Sequence, residues 1–352
     1  MIDTKPDISL SQYAEEIRLG KVVAFPTETV YGLGADAWNA DAVARIFELK
    51  GRPPDNPLIV HVNSIEMAGT LAAEISEDAR RLMERFWPGP LALILPKRPE
   101  VLDIVTAGLP TVAIRLPDHP IPLRLIEEAG PIAAPSANTS GRPSPTRAEH
   151  VRQDFGAEVP VIEGGSCQYG LESTVLDLSI RPYTILRPGH ITQSALEQVL
   201  RQPVRLVPSF TGETAGGKRH LPGNAANTLE SGGSTGPGMS GDTPRSPGMK
   251  YTHYAPDARV RWMRPDELPC PDPTAHGTLY LLHRIRPEEV PLPETDHLIH
   301  YRENYTEMGR DLYDRFRMAD LNRFTEIAIE PFSDSDEAVE ALLNRIRKAI
   351  GD

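Results

Sequence analysis

The sequence is poor in cysteine and has no long apolar run. Its two cysteines, Cys167 and Cys270, lie far apart and in no metal-ligand spacing, so we expect reduced thiols. No stretch approaches the roughly 18 consecutive apolar residues of a membrane-spanning helix. The N-terminal segment MIDTKPDISL lacks the basic start and apolar stretch of a signal peptide. We therefore expect a cytoplasmic protein that does not enter a membrane.

The chain also has fewer basic than acidic residues. The formal net charge is −12, whereas proteins that bind nucleic acid by neutralising many phosphates usually carry a basic excess. Any contact with a polynucleotide must therefore be local or transient. Common catalytic motifs are missing too, because the chain has no P-loop GxxxxGK[ST], no HExxH and no CxxC sequence. These absences argue against P-loop and zinc-protease chemistry.

The length and composition indicate two domains. The chain has 352 residues, and a single core rarely keeps growing beyond roughly 250–300 residues. Residues 1–208 alternate short strand and helix patterns, which predicts an α/β domain. Residues 209–256 are rich in glycine, which predicts a flexible linker. Residues 257–352 follow a strand–helix–strand–helix order, which predicts a smaller parallel α/β domain.

Two loops of the first domain carry polar residues after regular elements. PTETVYGLG (26–34) follows a strand and combines hydroxyl groups with glycines, as a binding loop or an ordinary turn would. KGRPPDNPL (50–58) follows a helix for which we expect Asp41 as N-cap. Its Lys50 and Arg52 could complement the helix dipole or, on a proline-stiffened loop, bind phosphate. His61 on the next strand would by itself be read as a core histidine.

Three further segments suggest anion binding. APSANTSGRPSPT (134–146) places small donors on a Gly/Pro-shaped loop, which suits a phosphate but is also common in plain turns. Arg115 lies in the alternating strand TVAIRLP, so a buried guanidinium there needs either an internal carboxylate or a substrate carboxylate. ESTVLDL (172–178) begins a strand at Ser173, and Arg187 ends one before a Pro-Gly turn.

In this order, the segments resemble the YrdC-type threonylcarbamoyl-AMP synthase family. The resemblance covers residues 10–205, and SPGMKYTHYAP (246–256) with the following α/β unit resembles the long, two-domain form. It implies an N-terminal twisted open α/β sheet of YrdC type around a concave cavity. It also implies a smaller, Rossmann-like parallel α/β domain at the C-terminus.

The resemblance also implies roles for individual residues. Lys50 and Arg52 would be catalytic, and Tyr251, with Tyr254 beside it, would close over the cavity as a lid. Residues implied to contact threonine are Thr29, His61, Arg115 and Ser173. Residues implied to hold ATP are Lys50, Arg52, Asn56, Thr111, Ser136, Asn138, Ser144, Arg187 and Tyr251.

The implied reaction joins L-threonine, bicarbonate and ATP into L-threonylcarbamoyl-AMP and pyrophosphate. A tRNA threonylcarbamoyl-transferase would accept the product and modify the tRNA adenosine next to the anticodon. Mg²⁺ is expected with ATP, and because no Asp/Glu pair stands out, phosphate oxygens and water would supply most of its ligands. One alternative is a binding module for tRNA or double-stranded RNA with a related core. Carbamoyl-transferring maturation enzymes also share the core, but their zinc modules need more than two isolated cysteines.

Overall fold

The computed structural model describes residues 9–207, 244, 254–264, 267, 277–284, 298–332 and 337–351. Most of the predicted linker, including Tyr251, lies outside the described residues. None of the described helices is both long and apolar enough to cross a membrane.

The N-terminal part is built on one mixed sheet. In its described part the strand order is β1-β2-β6-β3-β5-β4-β7-β8-β9, and β3 and β8 run parallel to β5. The strands are β1 (Val23–Phe25), β2 (Gly32–Asp36), β3 (Ile59–His61), β4 (Leu91–Pro96), β5 (Thr111–Arg115), β6 (Ile132–Ala133), β7 (Thr174–Asp177), β8 (Thr184–Arg187) and β9 (Arg205–Leu206).

Helices connect these strands and cover the sheet. They are α1 (Leu10–Arg18), α2 (Ala40–Lys50), α3 (Ile65–Ala68), α4 (Glu77–Phe86), α5 (Asp103–Thr106), α6 (Pro120–Ala129), α7 (Ala148–Phe155) and α8 (Gln193–Leu200). The predicted N-cap of α2 is wrong by two residues. Asn39 caps the helix by accepting from the amides of Asp41 and Ala42, and Asp41 instead lies in the first turn, where its charge complements the helix dipole.

The alternation predicted for β5 is confirmed, and it positions the site. Val112, Ile114 and Leu116 pack into the main core of the domain. Ala113 lies on the opposite face of the sheet, in a smaller apolar patch. Because successive side chains of a strand point to opposite faces, Arg115 shares the face of Ala113, away from the main core.

The C-terminal part contains a separate parallel sheet, as predicted. Its described strands follow the order β10-β13-β11-β12, with every pairing parallel. A short 3₁₀ turn, Glu337–Val339, precedes the last helix. The elements are β10 (Arg259–Trp262), β11 (Thr278–Leu282), β12 (Leu298–His300), α9 (Tyr305–Leu321), β13 (Glu326–Ile329) and α10 (Glu340–Ile350).

The two parts of the chain share apolar contacts. The core of the C-terminal part includes Met308, Leu312 and Phe316 of α9, and Val30 of the N-terminal loop 26–34 belongs to the same cluster. Leu171, which immediately precedes the ESTVLDL segment, packs against this cluster as well. The C-terminal part therefore packs directly against two of the loops that the sequence singles out.

Core packing can be tested with a matched pair of leucines. Leu93 in β4 is fully buried, whereas Leu19 after α1 is 67% exposed. We expect Leu93→Ala to lower the free energy of unfolding by about 2–5 kcal/mol, because it leaves a cavity in a close-packed core. Leu19→Ala should change it by less than about 0.5 kcal/mol. Urea unfolding followed by circular dichroism measures both, and equal effects of the two changes would contradict this assignment of the core.

Candidate active site

A cleft opens over the sheet face that carries Arg115. The space between its walls, including the open solvent at its mouth, is about 740 Å³. Within the described residues, the basic side chains that line it outnumber the single acidic one, Glu172. The residues predicted from the sequence that line this cleft are Thr29, Lys50, Arg52, His61, Arg115, Ser136, Asn138, Ser144 and Arg187.

Sheet topology explains much of this convergence. His61, Arg115 and Arg187 each end a strand, β3, β5 and β8, and these three strands run in the same direction. The carboxyl ends of parallel strands lie at the same edge of a sheet, so the three side chains meet there. His61 is the direct register partner of Arg115.

Within the described part of the chain, three predicted residues are not part of the lining: Asn56, Ser173 and Thr111. Asn56 is buried, and its backbone carbonyl accepts from Nε of Arg52 at 3.1 Å. Ser173 is buried next to Arg187, and Tyr251 lies outside the described residues. Thr111 begins β5, whereas Arg115 ends it, so roughly 13 Å of extended strand separates them. The position of Thr111 therefore does not support the implied contact with ATP.

Lys50 anchors the Ser/Asn loop, residues 134–146, to the end of α2. Its ammonium donates to the carbonyl oxygen of Ser136 at 2.6 Å and to that of Asn138. The amide of Ser140 returns a bond to the Lys50 carbonyl at 2.8 Å. Burial, and next the charge of Arg52, lower the pKa of Lys50 well below its usual value. The Lys50 ammonium thus binds another loop. The alternative left open by the sequence was that it only complements the dipole at the end of α2.

Arg52 shapes the proline-rich loop that follows α2. Its Nε donates to the carbonyl of Asn56 at 3.1 Å, and its Nη2 donates to the carbonyl of Pro57 at 2.9 Å. The guanidinium is therefore held by backbone groups while it lines the cleft. A cation fixed in this way does not need to reorganise when an anion arrives.

The hydroxyl groups of Ser136 and Ser144 are hydrogen-bonded within the protein. Ser136 Oγ donates to Oδ1 of Asn138 at 2.5 Å, and Ser144 Oγ donates to Oε1 of Glu172 at 2.5 Å. A serine hydroxyl has one proton, so in this arrangement each presents only lone pairs to the cleft. The implied contacts of Ser136 and Ser144 with ATP stay a prediction, and the lining cations are the groups best suited to an anion.

Arg115 has an internal partner that the sequence reading missed. Its Nη2 lies 2.6 Å from Oε1 of Glu28, and both side chains are buried. Its Nε donates to the carbonyl of Gly89 at 3.3 Å. The internal carboxylate that the sequence analysis considered as a partner for Arg115 is therefore present. Arg115 also lines the cleft. The sequence did contain a clue to this partner, since Glu28 is the only charged residue in PTETVYGLG.

The turn before Thr29 is rigid. Thr27 Oγ1 accepts from the amides of Thr29 and Val30 at 3.1 and 3.2 Å, and donates to the Val30 carbonyl at 2.7 Å. Thr29 Oγ1 lies 2.8 Å from Thr27 Oγ1. These local bonds satisfy buried backbone groups and fix the loop that lines the cleft beside Arg115.

Glu172 is the second carboxylate that the sequence reading missed. Oε2 accepts from Nε of Arg345 at 2.8 Å, and the Tyr313 hydroxyl lies 3.1 Å from the same oxygen. Burial by itself raises the pKa of Glu172, but the charges of Arg345 and Arg187 and the bond from Ser144 outweigh it and lower the pKa to about 2. Glu172 is therefore an anion at neutral pH, in the wall of the cleft.

Arg187 and Tyr254 complete the same wall. Arg187 donates from Nε to the carbonyl of Ser173 at 3.0 Å and from Nη2 to its Oγ at 3.1 Å. Tyr254 is buried, lines the cleft and stacks on Tyr313 with ring centroids 5.4 Å apart. Gly189 permits the close approach behind them, because a Cβ there would lie 2.3 Å from the amide nitrogen of Thr174.

The described residues contain no group of three His, Cys, Asp or Glu side chains arranged to hold a metal ion. The two buried carboxylates at the cleft, Glu28 and Glu172, each contact an arginine. A divalent ion that entered with a polyphosphate would therefore draw most of its oxygen ligands from that ligand and from water.

The comparisons with known proteins agree with this architecture. Residues 15–189 match a family model of the Sua5, YciO and YrdC proteins, described as "Telomere recombination". Residues 191–351 match one described as the C-terminal domain of threonylcarbamoyl-AMP synthase. The mixed sheet with its cation-lined cleft, joined to a parallel α/β unit, thus defines a two-domain protein of the Sua5 class.

Relatives of similar length narrow this class to one enzyme family. The chain is 40% identical to threonylcarbamoyl-AMP synthase of Pyrococcus abyssi, over 95% of this chain and 92% of that one. It is 41% identical to the Bacillus subtilis enzyme of the same name, over 98% and 94% of the two chains. The crystal structure of P. abyssi Sua5 complexed with L-threonine matches with a TM-score of 0.78 at 39% identity, over 97% and 94% of the chains. The chain belongs to the threonylcarbamoyl-AMP synthase family, whose members are nucleotidyltransferase-type enzymes.

The burial of His61 has a consequence for stability in acid. Burial, and next the positive charge of Arg115, lower the pKa of His61 from 6.5 to about 3. The unfolded chain keeps the ordinary value, so between about pH 6.5 and 3 it binds more protons than the folded protein. We expect the free energy of unfolding to fall in that window, with a contribution of up to about 1.4 kcal/mol per pH unit from His61.

The variant His61→Gln isolates this contribution. It removes the titrating group, so its unfolding free energy should fall less steeply than that of the wild type as the pH drops through the same window. Urea unfolding at several pH values measures the slope. An unchanged slope in the variant would mean that His61 does not titrate differently in the folded and unfolded states.

Proposed function

We propose that the protein forms L-threonylcarbamoyl-AMP and pyrophosphate from L-threonine, bicarbonate and ATP. One observation carries the proposal: Lys50, Arg52 and Arg187 line the same cleft as Arg115. A polyphosphate and an amino-acid carboxylate both need fixed cations, and this cleft offers them side by side. The threonine complex of the P. abyssi relative supports threonine as the amino acid.

The proposed cleft has a threonine side and an ATP side. Arg115, beside His61 and the rigid Thr29 turn, would hold the threonine carboxylate, since a guanidinium binds a carboxylate through two hydrogen bonds. His61 remains neutral at physiological pH, because its pKa is lowered to about 3, so it can accept or donate a hydrogen bond without adding charge.

The remaining cations would hold ATP. Lys50 binds the Ser/Asn loop, and Arg52 and Arg187 line the same cleft, with the charge of Arg187 acting on Glu172. In the proposed reaction the threonine amine and bicarbonate give a carbamate with loss of water. A carbamate oxygen then attacks the α-phosphate, and the bond to the β-phosphate breaks as pyrophosphate leaves. Positioning and charge neutralisation supply the catalysis, without a covalent protein nucleophile.

Mg²⁺ is proposed to arrive with ATP and to neutralise charge on the triphosphate. We also propose that the adenylate passes to a tRNA threonylcarbamoyl-transferase, which modifies the tRNA adenosine next to the anticodon. The net charge of −12 argues that this protein itself makes at most local contact with tRNA.

The proposed role of Arg52 can be tested against an arginine on the same helix-loop unit. Arg52→Ala should lower kcat for adenylate formation by about 10²–10³, because one fixed electrostatic donor is lost. Arg45 in α2 pairs with Glu48 and Glu158 at the surface, so Arg45→Ala should leave turnover unchanged. Pyrophosphate release at saturating substrates measures both. A folded Arg52→Ala protein with wild-type turnover would remove Arg52 from the active site.

The reaction itself is tested with the purified full-length chain. Incubation with ATP, Mg²⁺, L-threonine and bicarbonate should yield threonylcarbamoyl-AMP, detected by mass spectrometry, together with pyrophosphate. Both products should require threonine and bicarbonate. Pyrophosphate release that ignores threonine would point to another substrate, and ATP binding without any product would favour the alternative of a binding module.

A further inference from the structure

Two arginines of the C-terminal part are buried against the N-terminal part. Arg345 of α10 is fully buried. Its Nε donates to Oε2 of Glu172 at 2.8 Å, its Nη2 to the Glu172 carbonyl at 3.4 Å, and its Nη1 to Oδ1 of Asn344 at 2.8 Å. Its guanidinium also lies over the ring of Tyr254, 5.4 Å from the centroid. Each of these contacts except that with Asn344 reaches a residue that lines the cleft.

Glu172 connects Arg345 to the lining of the cleft. Its Oε1 accepts from Ser144 Oγ at 2.5 Å, and the hydroxyl of Tyr313 lies 3.3 and 3.1 Å from its two oxygens. A buried carboxylate that loses its counter-charge becomes either an unpaired anion beside the nucleotide or a protonated acid. In either case Arg345 no longer holds the carboxyl group in place, so the acceptor that orients the Ser144 hydroxyl is less firmly fixed.

Arg317 of α9 holds the back of the Ser/Asn loop. Its Nη2 and Nε donate to the carbonyl of Pro143 at 2.6 and 3.2 Å. Its Nη1 and Nη2 also lie 3.0 and 2.9 Å from the two oxygens of Asp154, which accepts from the Thr139 amide at 3.1 Å. One arginine of the C-terminal part therefore fixes the loop at both Thr139 and Pro143, on either side of Arg142.

We propose that the C-terminal part completes the nucleotide side of the cleft, with Arg345 and Tyr313 as positioning residues that act through Glu172 and Ser144. The proposal rests on the function proposed above and gives the C-terminal part a role in it. The threonine side depends on different contacts, chiefly Arg115 with Glu28. Loss of Arg345 should therefore weaken ATP binding and leave threonine binding intact.

The test uses the full-length chain with three single variants. Arg345→Met removes the charge, Tyr313→Phe removes only the hydroxyl, and Arg345→Lys keeps the charge without the planar fork. Calorimetry with α,β-methylene-ATP and Mg²⁺, and separately with L-threonine, gives the two affinities. Threonine-dependent pyrophosphate release gives kcat and the KM for ATP.

We expect Arg345→Met to raise the Kd for the analogue and the KM for ATP by about tenfold or more, because it leaves a buried carboxylate unpaired. The Kd for threonine should stay within about twofold. Tyr313→Phe should raise the KM for ATP by less, and Arg345→Lys should recover part of the loss. The double variant Glu172→Gln with Arg345→Met should bind the analogue better than Arg345→Met alone, because no unpaired charge remains.

Arg147→Met is the matched control. Arg147 also bridges the two parts, by pairing with Asp314 at 3.2 Å, but it is exposed and does not line the cleft. It should keep both affinities and the turnover of the wild type, as an exposed ion pair contributes little.

Wild-type affinity of Arg345→Met for the analogue would overturn the inference. An equal loss of analogue and threonine binding would also overturn it, because it would indicate a general structural role for Arg345. If Arg345→Met does not fold, Tyr313→Phe decides, because it retains the buried ring. A wild-type chain that binds the analogue but forms no adenylate would refute the proposed function and leave the positioning inference to be judged on affinities.

Discussion

The burial of positive charge is the constraint on which this structure depends. Lys50, Arg52, Arg115 and Arg187 are all buried at one cleft, and charges taken out of water must be compensated. Backbone carbonyls compensate much of this charge: those of Ser136 and Asn138 for Lys50, those of Asn56 and Pro57 for Arg52, that of Gly89 for Arg115 and that of Ser173 for Arg187. The carboxylates of Glu28 and Glu172 compensate part of the rest, but they are fewer than the four cations, so the cleft stays electropositive and suited to an anion.

The same contacts make the cleft rigid before a ligand arrives. Each cation is bound to backbone carbonyls of a neighbouring segment, so Lys50 holds the Ser/Asn loop and Arg52 holds the proline-rich loop. Cations that are already oriented stabilise developing charge without a cost of reorganisation. Stability and function therefore depend on the same hydrogen bonds, which is why removal of one of these cations affects both loop geometry and charge.

The two parts of the chain are coupled through carboxylates of the N-terminal part. Glu172 contacts Arg345 and Tyr313, and Asp154 contacts Arg317. Both carboxylates lie behind or beside the Ser/Asn loop, so the helices α9 and α10 help to set its position. The second unit is thus packed against the wall of the site, in addition to sharing apolar contacts through Val30.

Local pattern was sufficient for much of this description. Alternation in TVAIRLP placed Arg115 on the face away from the main core. The order of the loop motifs was enough to indicate the family. Both follow from the sequence because strand periodicity and turn formation depend on residues that are adjacent along the chain. The partners were decided only by tertiary structure. Glu28 beside Arg115, Glu172 under Arg345 and the internal bonds of Ser136 and Ser144 depend on which strands become neighbours and how the second unit packs. The sequence by itself indicated that the charge of Arg115 lies in a buried strand, and only the folded chain determined what compensates it, since compensation requires contacts between residues far apart along the chain.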